Sequence, residues 1–341
     1  MTGRRILVTG ISGFIAKHCA LELLRHGYLV RGTVRQAARA DETRATLGRQ
    51  VDTSGLSFAQ ADLLDDTGWA AAMEGIDGVL HLASPFPADE PGDPDELIRP
   101  AVDGTLRVLR AAVAAGVPRV VQTSSMAAVF GGRLGAGRTT VLTEDDWTDL
   151  AHPGLSTYTR SKTLAEKAAR EFVRAEGGAL HFSTINPGFV LGPVLDADIG
   201  TSAEVIRMFL RGKYPGTPRL WFSVVDVRDV ARMHRLALES PEASGGRYLA
   251  VSDAIRFLEI ARPIREQLGA AARKVPRREL PNLLVRLIAL VDRPVRTILP
   301  DLGLAFTVDN SRTRRSLGIE FIPVGQSAPA MAASLIELGL V

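Results

Sequence analysis

Apolar and polar positions in the first 190 residues follow two alternating rhythms. Short aliphatic runs at 6–9, 29–34, 56–59, 79–83, 120–123 and 182–185 read as strands. Between them, 14–25, 96–115 and 157–176 repeat their apolar residues every three or four positions, as a helix with one buried face does. Strands that alternate with helices imply βαβ units, right-handed crossovers and a parallel sheet covered on both faces. Runs with little polar alternation suit that arrangement, because both faces of each strand then lie out of water. After residue 187 the rhythm changes. Residues 188–216 are rich in Gly and Pro and show no strand alternation; 224–240 reads as a strand end followed by a helix, and 247–251 as a short strand. The stretch 254–304 reads as mostly helical, broken by Pro263, Pro276, Pro281 and Pro294. The expected class is α/β, with a doubly wound parallel sheet.

The turn after the first strand carries the first chemical signal. Residues 10–16 read GISGFIA, between a strand and a helix. Gly10 permits a tight reversal, and Gly13 lets a pyrophosphate approach the helix N-terminus, where free N–H groups and the helix dipole attract anions. Ala16 is small enough for helix and strand to pack closely. A glycine turn of this kind can also be purely structural. Its position after a strand and before a helix favours a Rossmann-type dinucleotide site, with Gly10, Ser12, Gly13, Phe14 and Ile15 on the cofactor. The second strand ends Thr33-Val34-Arg35, where an NAD site usually has an acid for the ribose 2′-hydroxyl. Arg35 and Arg39 match the geometry of a 2′-phosphate instead, which points to NADP(H). Both also fit solvated surface arginines.

Tyr158 and Lys162 stand four residues apart in a predicted helix and so share one face. A tyrosine hydroxyl is a weak acid at neutral pH, but a nearby ammonium and an oxidised nicotinamide ring would stabilise the phenolate. Such a pair suits protonation of an oxygen as hydride reaches its carbon. Lysine occurs only five times in 341 residues, which makes a chance pairing uncommon. The strand at 120–123 ends in Ser124 and Ser125, the latter 33 positions before Tyr158. A serine at the carboxyl end of a parallel strand sits where such sheets bind ligands, and its hydroxyl can hold a carbonyl oxygen as charge develops. Turn chemistry or helix capping is the plainer role, which we assign to Ser124.

Composition narrows the field. Hydrophobic residues at 46% and charged residues at 23% are those of an ordinary globular chain, not a disordered one. The net charge is +3, with acidic residues interleaved among the arginines, so no nucleic-acid partner is expected. The single cysteine, Cys19, excludes an internal disulfide and fits a reducing compartment. His152 and His181 show no metal-ligand spacing, and no metal is expected. The N-terminal apolar run is too short and glycine-rich for a signal peptide. The aliphatic run 283–291 contains Arg286 and is too short to span a bilayer. A cytoplasmic protein without membrane contact is the expectation. His81 reads as a strand residue with a local hydrogen bond, and Trp147 as packing near the site.

These motifs together resemble the extended short-chain dehydrogenase/reductases, in particular the dihydroflavonol reductase and methylglyoxal/aldehyde reductase-like branch. The matching pieces are VTGISGFIA at 8–16, Asp62-Leu63, HLASPF at 81–86, Asp103-Gly104-Thr105, Thr123-Ser124-Ser125, YTRSKTLAE at 158–166 and NPGFVLGP at 186–193. The resemblance implies a Ser125–Tyr158–Lys162 triad, with Lys162 and Tyr158 also on the nicotinamide ribose. It implies Asp62 and Leu63 against the adenine, Ala83, Ser84 and Pro85 lining the cofactor, and Pro187, Gly188 and Val190 beside the nicotinamide amide. There are departures. Ala101 stands where many members carry an asparagine, so no proton relay through that side chain is expected. Phe130 replaces the polar residue of plant dihydroflavonol reductases and, with Phe86, suggests an apolar pocket wall. The cinnamoyl-CoA reductase signature before the tyrosine is absent; the chain has Leu155-Ser156-Thr157-Tyr158.

The change of rhythm along the chain gives the expectation of a nucleotide-binding domain at 1–187, continued by about 221–253 and 305–320. A smaller, discontinuous, mostly helical substrate lobe would comprise 188–220, 254–304 and 321–341. The leading expectation is an NADPH-dependent reductase of a small aldehyde or ketone, acting as a monomer or homodimer. A nucleotide-sugar epimerase or dehydratase, or a sterol-type dehydrogenase, is the alternative, with Arg207, Arg211 and Lys213 as candidate diphosphate anchors. A non-enzymatic NADP-sensing protein is the third possibility.

Overall fold

The computed structural model describes residues 3–85, 92–135, 137 and 139–341, the side chains of 293 and 294 aside. The strands are β1 (Arg5–Thr9), β2 (Leu29–Val34), β3 (Leu56–Gln60), β4 (Gly78–His81), β5 (Arg119–Thr123), β6 (Thr139–Leu142), β7 (His181–Pro187), β8 (Phe189–Leu191), β9 (Trp221–Asp226), β10 (Arg247–Ala250), β11 (Asp253–Arg256) and β12 (Ala305–Val308). The α-helices are α1 (Phe14–Arg25), α2 (Ala38–Gly48), α3 (Trp69–Met73), α4 (Asp95–Ala114), α5 (Ala127–Phe130), α6 (Thr157–Glu176), α7 (Thr201–Arg211), α8 (Val227–Glu239), α9 (Phe257–Leu268), α10 (Asn282–Ile288), α11 (Arg293–Thr297), α12 (Ser311–Leu317) and α13 (Val324–Glu337). Among the described residues, seven strands form one parallel sheet in the order β10-β7-β5-β4-β1-β2-β3. The order reverses between β1 and β4, which is where such sheets open a ligand crevice at their carboxyl ends.

Both faces of the sheet are covered. α1 and α8 pack together over one face, with Leu23, Val30, Val230 and Leu238 in a shared core. α4 and α6 lie side by side over the other, where Val108, Leu109, Ala169 and Phe172 join Leu7, Val79 and Val120. This double cover explains why β4 is buried at all four positions and why its sequence shows so little alternation.

The second lobe has a core built from α7, α9 and α13, with Ile206, Phe209, Ile260, Ile264, Met331 and Leu335 out of water. A three-stranded sheet, β11-β9-β8, runs beneath it, and β6 pairs with β12. Two findings differ from the sequence reading. β9, placed in the nucleotide-binding domain by its position in the chain, belongs to the small sheet, where Val224 pairs with both Phe189 and Asp253. Pro263 does not interrupt the helix; it lies inside α9, whose apolar face buries Phe257, Ile260, Ala261 and Ile264. Burial of that face outweighs the one backbone hydrogen bond a proline removes.

Candidate active site

The carboxyl ends of six parallel strands supply the candidate residues. Gly10 to Ile15 follow β1, Arg35 and Arg39 follow β2, and Asp62 and Leu63 follow β3. Ala83 to Pro85 follow β4, Ser125 follows β5, and Pro187 to Val190 end β7 and enter β8. Phe86 lies outside the described residues.

Gly10 has φ +62°, a left-handed conformation costly for residues with a Cβ, and a Cβ there would sit 3.1 Å from Ala83. Its N–H donates to Thr33 Oγ1 (3.0 Å), while the Thr9 hydroxyl accepts from the Leu82 and Ala83 N–H groups (3.0 and 2.9 Å). The loops after β1 and β4 are therefore tied to one another. Gly13 is the N-cap of α1 and no side chain caps that helix, so its first-turn N–H groups remain available to an anion. Ser12, Phe14 and Ile15 are partly exposed around it. This cradle fits a dinucleotide pyrophosphate.

Arg35 is exposed, and among the described residues it forms no ion pair. Arg39 lies in the first turn of α2 and pairs with Glu42 (2.6 Å) and with Asp198 from the β8–α7 segment. Asp62 is partly exposed and accepts the Leu64 N–H (3.0 Å), while Leu63 rests on Gly104, where a Cβ would come within 2.9 Å of it. Gly188 has no room for a side chain either, since a Cβ would meet the Ser223 carbonyl at 2.2 Å.

Ser125, Tyr158 and Lys162 come together. The phenol of Tyr158 hydrogen-bonds to the Ser125 side chain. Lys162 Nζ lies 5.9 Å from the Tyr158 ring centroid. α6 starts one residue before Tyr158, capped by Ser156, which accepts the Thr159 N–H (3.1 Å). One helical turn then sets Lys162 on the same face. Both side chains are partly exposed. Burial raises the Tyr158 pKa above its ordinary value, with the Ser125 hydrogen bond acting in the opposite direction. Burial also lowers that of Lys162 to about 8.

Behind the triad lies a network that the sequence reading missed. Glu166, one turn beyond Lys162, is fully buried. It accepts from Ser124 (2.5 Å), Asn186 (2.8 Å), Arg247 (2.6 Å), Thr184 (3.1 Å) and Arg170 (3.2 Å). Burial pushes its pKa up, but the charges of Arg247 and Arg170 outweigh that and hold the carboxyl below its usual range. Asn186 also donates to the Ser125 carbonyl (3.2 Å). The carboxylate thus joins α6, the end of β5 and β7 at one point. Arg247 is completed by the Ala128 and Glu144 carbonyls (3.0 and 3.1 Å) and by Trp147, whose ring centre lies 3.7 Å from its guanidinium. The sequence offers Glu166 only as a polar residue four positions after a lysine. Its partners Ser124 and Arg247 lie 42 and 81 residues away.

The remaining singled-out residues have other surroundings. His81 is buried against the Thr9 hydroxyl (2.9 Å), and burial, then the Lys162 charge, lowers its pKa to about 3. A neutral imidazole there makes a strand-end hydrogen bond. Phe130 stacks on Phe306 at 5.9 Å in a small cluster with Met126 and Leu142. Cys19 is fully buried, its thiol pushed up by desolvation. Among the described residues no cluster of His, Cys, Asp or Glu is arranged to hold a metal, and no helix is long and apolar enough to cross a membrane.

Comparison with known proteins bears on the family and the fold. Cinnamoyl-CoA reductase CAD2 of Medicago truncatula is 34% identical over 340 residues, covering 98% of this chain and 96% of that one. Ketoreductase azaE of Aspergillus niger is 32% identical over 352 residues, covering 98% of each. The crystal structure of yeast methylglyoxal/isovaleraldehyde reductase Gre2 complexed with NADPH superposes with a TM-score of 0.82 at 26% identity, covering 99% of this chain and all of that one. The model of the NAD dependent epimerase/dehydratase family matches residues 6–250, and with these relatives over nearly its full length the chain belongs to that family.

Proposed function

We propose that this protein is an NADPH-dependent reductase that converts an aldehyde or ketone to an alcohol, with Ser125, Tyr158 and Lys162 as its catalytic residues. One observation carries the reading. A phenol, a serine hydroxyl and a lysine converge at the carboxyl edge of a parallel sheet, where Ser125 follows β5, the neighbour of β4 at the point where the strand order reverses. The reductase activities named for its relatives and the NADPH in the Gre2 crystal structure support it.

When bound, NADPH would supply the hydride that reduces the carbonyl carbon. The chain's residues manage the oxygen. Ser125 donates a hydrogen bond to it and fixes its position, Tyr158 delivers the proton, and Lys162, still protonated at neutral pH, stabilises the phenolate left behind. The uncapped start of α1 and the Gly10 cradle would hold the cofactor's pyrophosphate. Arg35 and Arg39, with no acid ending β2, would take a 2′-phosphate.

The test is a mixture of protein, NADPH and a panel of aromatic and α-keto aldehydes, followed by loss of NADPH absorbance. Turnover is expected with at least one member and should collapse in Tyr158→Phe. No oxidation across a broad panel, or full activity in that variant, overturns the proposal.

A further inference from the structure

The segment joining β8 to α7 leaves the second lobe and crosses the nucleotide-binding domain. It is held at successive points. His18 Nε2 meets the Pro193 carbonyl at 2.9 Å, and Lys17, whose side chain is only 2% exposed, grips Asp196 at 2.5 and 2.6 Å. Thr46 of α2 donates to the same carboxylate (3.1 Å). Gly200 lies beside Phe14 of the glycine loop, where a Cβ would be 3.6 Å from the ring. Between these anchors, Asp198 reaches out to the Arg39 guanidinium, and that pair is solvent-exposed, at 39% and 46% of the two side chains.

Arg39 is one of the two cations proposed for the 2′-phosphate, yet two carboxylates, Glu42 and Asp198, already neutralise it. Glu42 sits on the same helix. Asp198 comes from the other lobe and presents an anion to the guanidinium a phosphate would need. A guanidinium fork suits either acceptor. We infer that Asp198 competes with the cofactor's 2′-phosphate for Arg39, so that this residue of the second lobe sets how strongly the protein prefers NADPH to NADH. The inference rests on the proposed cofactor reading. The Lys17–Asp196 pair keeps the segment in place whichever anion Arg39 holds, so the exchange is confined to one exposed ion pair.

The experiment is a fluorescence titration of the whole protein with NADPH and with NADH, at one fixed salt concentration, on wild type, Asp198→Asn, Arg39→Ala and the double variant. Exposed ion pairs have small energies, so Asp198→Asn should tighten NADPH binding about two- to fivefold and leave NADH binding unchanged. In the Arg39→Ala background the same substitution should have no effect on NADPH, because the group competed for is gone. Asp198→Lys should tighten NADPH further than Asp198→Asn. NADPH affinity unchanged in Asp198→Asn, an equal change for both nucleotides, or a gain that persists without Arg39 overturns the inference while leaving the reductase reading intact. Wild-type protein that binds neither nucleotide overturns both.

Discussion

Replacing Glu166 by glutamine tests whether the buried carboxylate organises the site. The two side chains have nearly the same shape, so the perturbation is one charge and one reversed hydrogen-bonding group. Oε1 receives Arg247, Thr184 and Arg170, and Oε2 receives Ser124 and Asn186. Every partner is placed as a donor. A glutamine must turn its NH₂ toward one of these two sets, setting donor against donor, and it leaves the buried Arg247 guanidinium without a counter-charge. Removing one member of a buried ion pair costs about 3–5 kcal/mol. Unfolding entropy of about 2.1 cal/mol/K per residue gives about 0.7 kcal/mol per degree for this chain, so the melting temperature should fall by about 4–7 °C.

The consequence for activity comes from geometry. Ser124 and Asn186 lose their common acceptor, and Asn186 also holds the Ser125 carbonyl (3.2 Å). Loosening the serine against the phenol should lower kcat about ten- to a hundredfold, with KM for NADPH little changed, because misplacement by about 1 Å costs rates of that order. Differential scanning fluorimetry and steady-state kinetics read both effects. The carboxyl's lowered pKa adds a sign. Its contribution to stability is present above the unfolded-state carboxyl pKa and is lost as pH falls through the lower folded value, so wild type should lose part of its advantage over Glu166→Gln in acid. A variant melting within a degree of wild type with unchanged kcat would refute the organising role.

Three further outcomes follow. Tyr158→Phe should lower kcat about 10²–10⁴-fold while NADPH binding, measured by titration, persists; equal loss of both would show that the phenol is structural. Lys162→Met should abolish turnover yet raise the melting temperature at pH 7. Lys162's pKa falls to about 8, so the cost of burying its charge is full below pH 8 and fades as pH approaches 10.5; a melting-temperature gain independent of pH over that window would contradict this. Gly10→Ala should cost about 1–2 kcal/mol of stability at φ +62° and weaken NADPH binding, whereas Gly13→Ala, at φ −74° with its nearest contact at 3.4 Å, should be milder in a thermal melt.

What could be read from the chain depended on how local the signal was. α1 and β2 follow the predicted 14–25 and 29–34, because each is defined by its own buried residues and a flanking glycine. α2 was not predicted, since its 11 residues bury only Thr43, Thr46 and Leu47 and leave no apolar stripe to see. β11 and β12 are four-residue strands that depend on partners far along the chain. Pro329 sits within α13 as Pro263 does within α9, and in both the helix is held by packing in the second core rather than by local propensity. The relatives add a related lesson. Cinnamoyl-CoA reductase CAD2 matches over 98% of the chain although the signature expected before the tyrosine is replaced here by Leu155-Ser156-Thr157. The likeness to it thus does not depend on that signature.

The second lobe also bears on the competing reading. Arg207, Arg211 and Lys213 were the candidate anchors for a nucleotide diphosphate. Arg207 pairs with Glu204, Arg211 donates to the Leu340 carbonyl (3.2 Å), and Lys213 lies 5.2 Å from the centre of the Tyr214 ring. All three have partners within the lobe itself, which counts against their serving as diphosphate anchors and supports the proposed reductase reading. The proton inventory points the same way. With its pKa raised, Tyr158 keeps its proton at neutral pH, and Lys162, near 8, keeps its charge. A protonated phenol beside an ammonium is the state from which an alkoxide is protonated. Alcohol oxidation requires the phenolate, which burial opposes until further positive charge is placed beside it. On the proposed reading, kcat for alcohol oxidation should rise with pH in a stopped assay of NADPH formation. An oxidation rate independent of pH would mean that Tyr158 does not carry the proton.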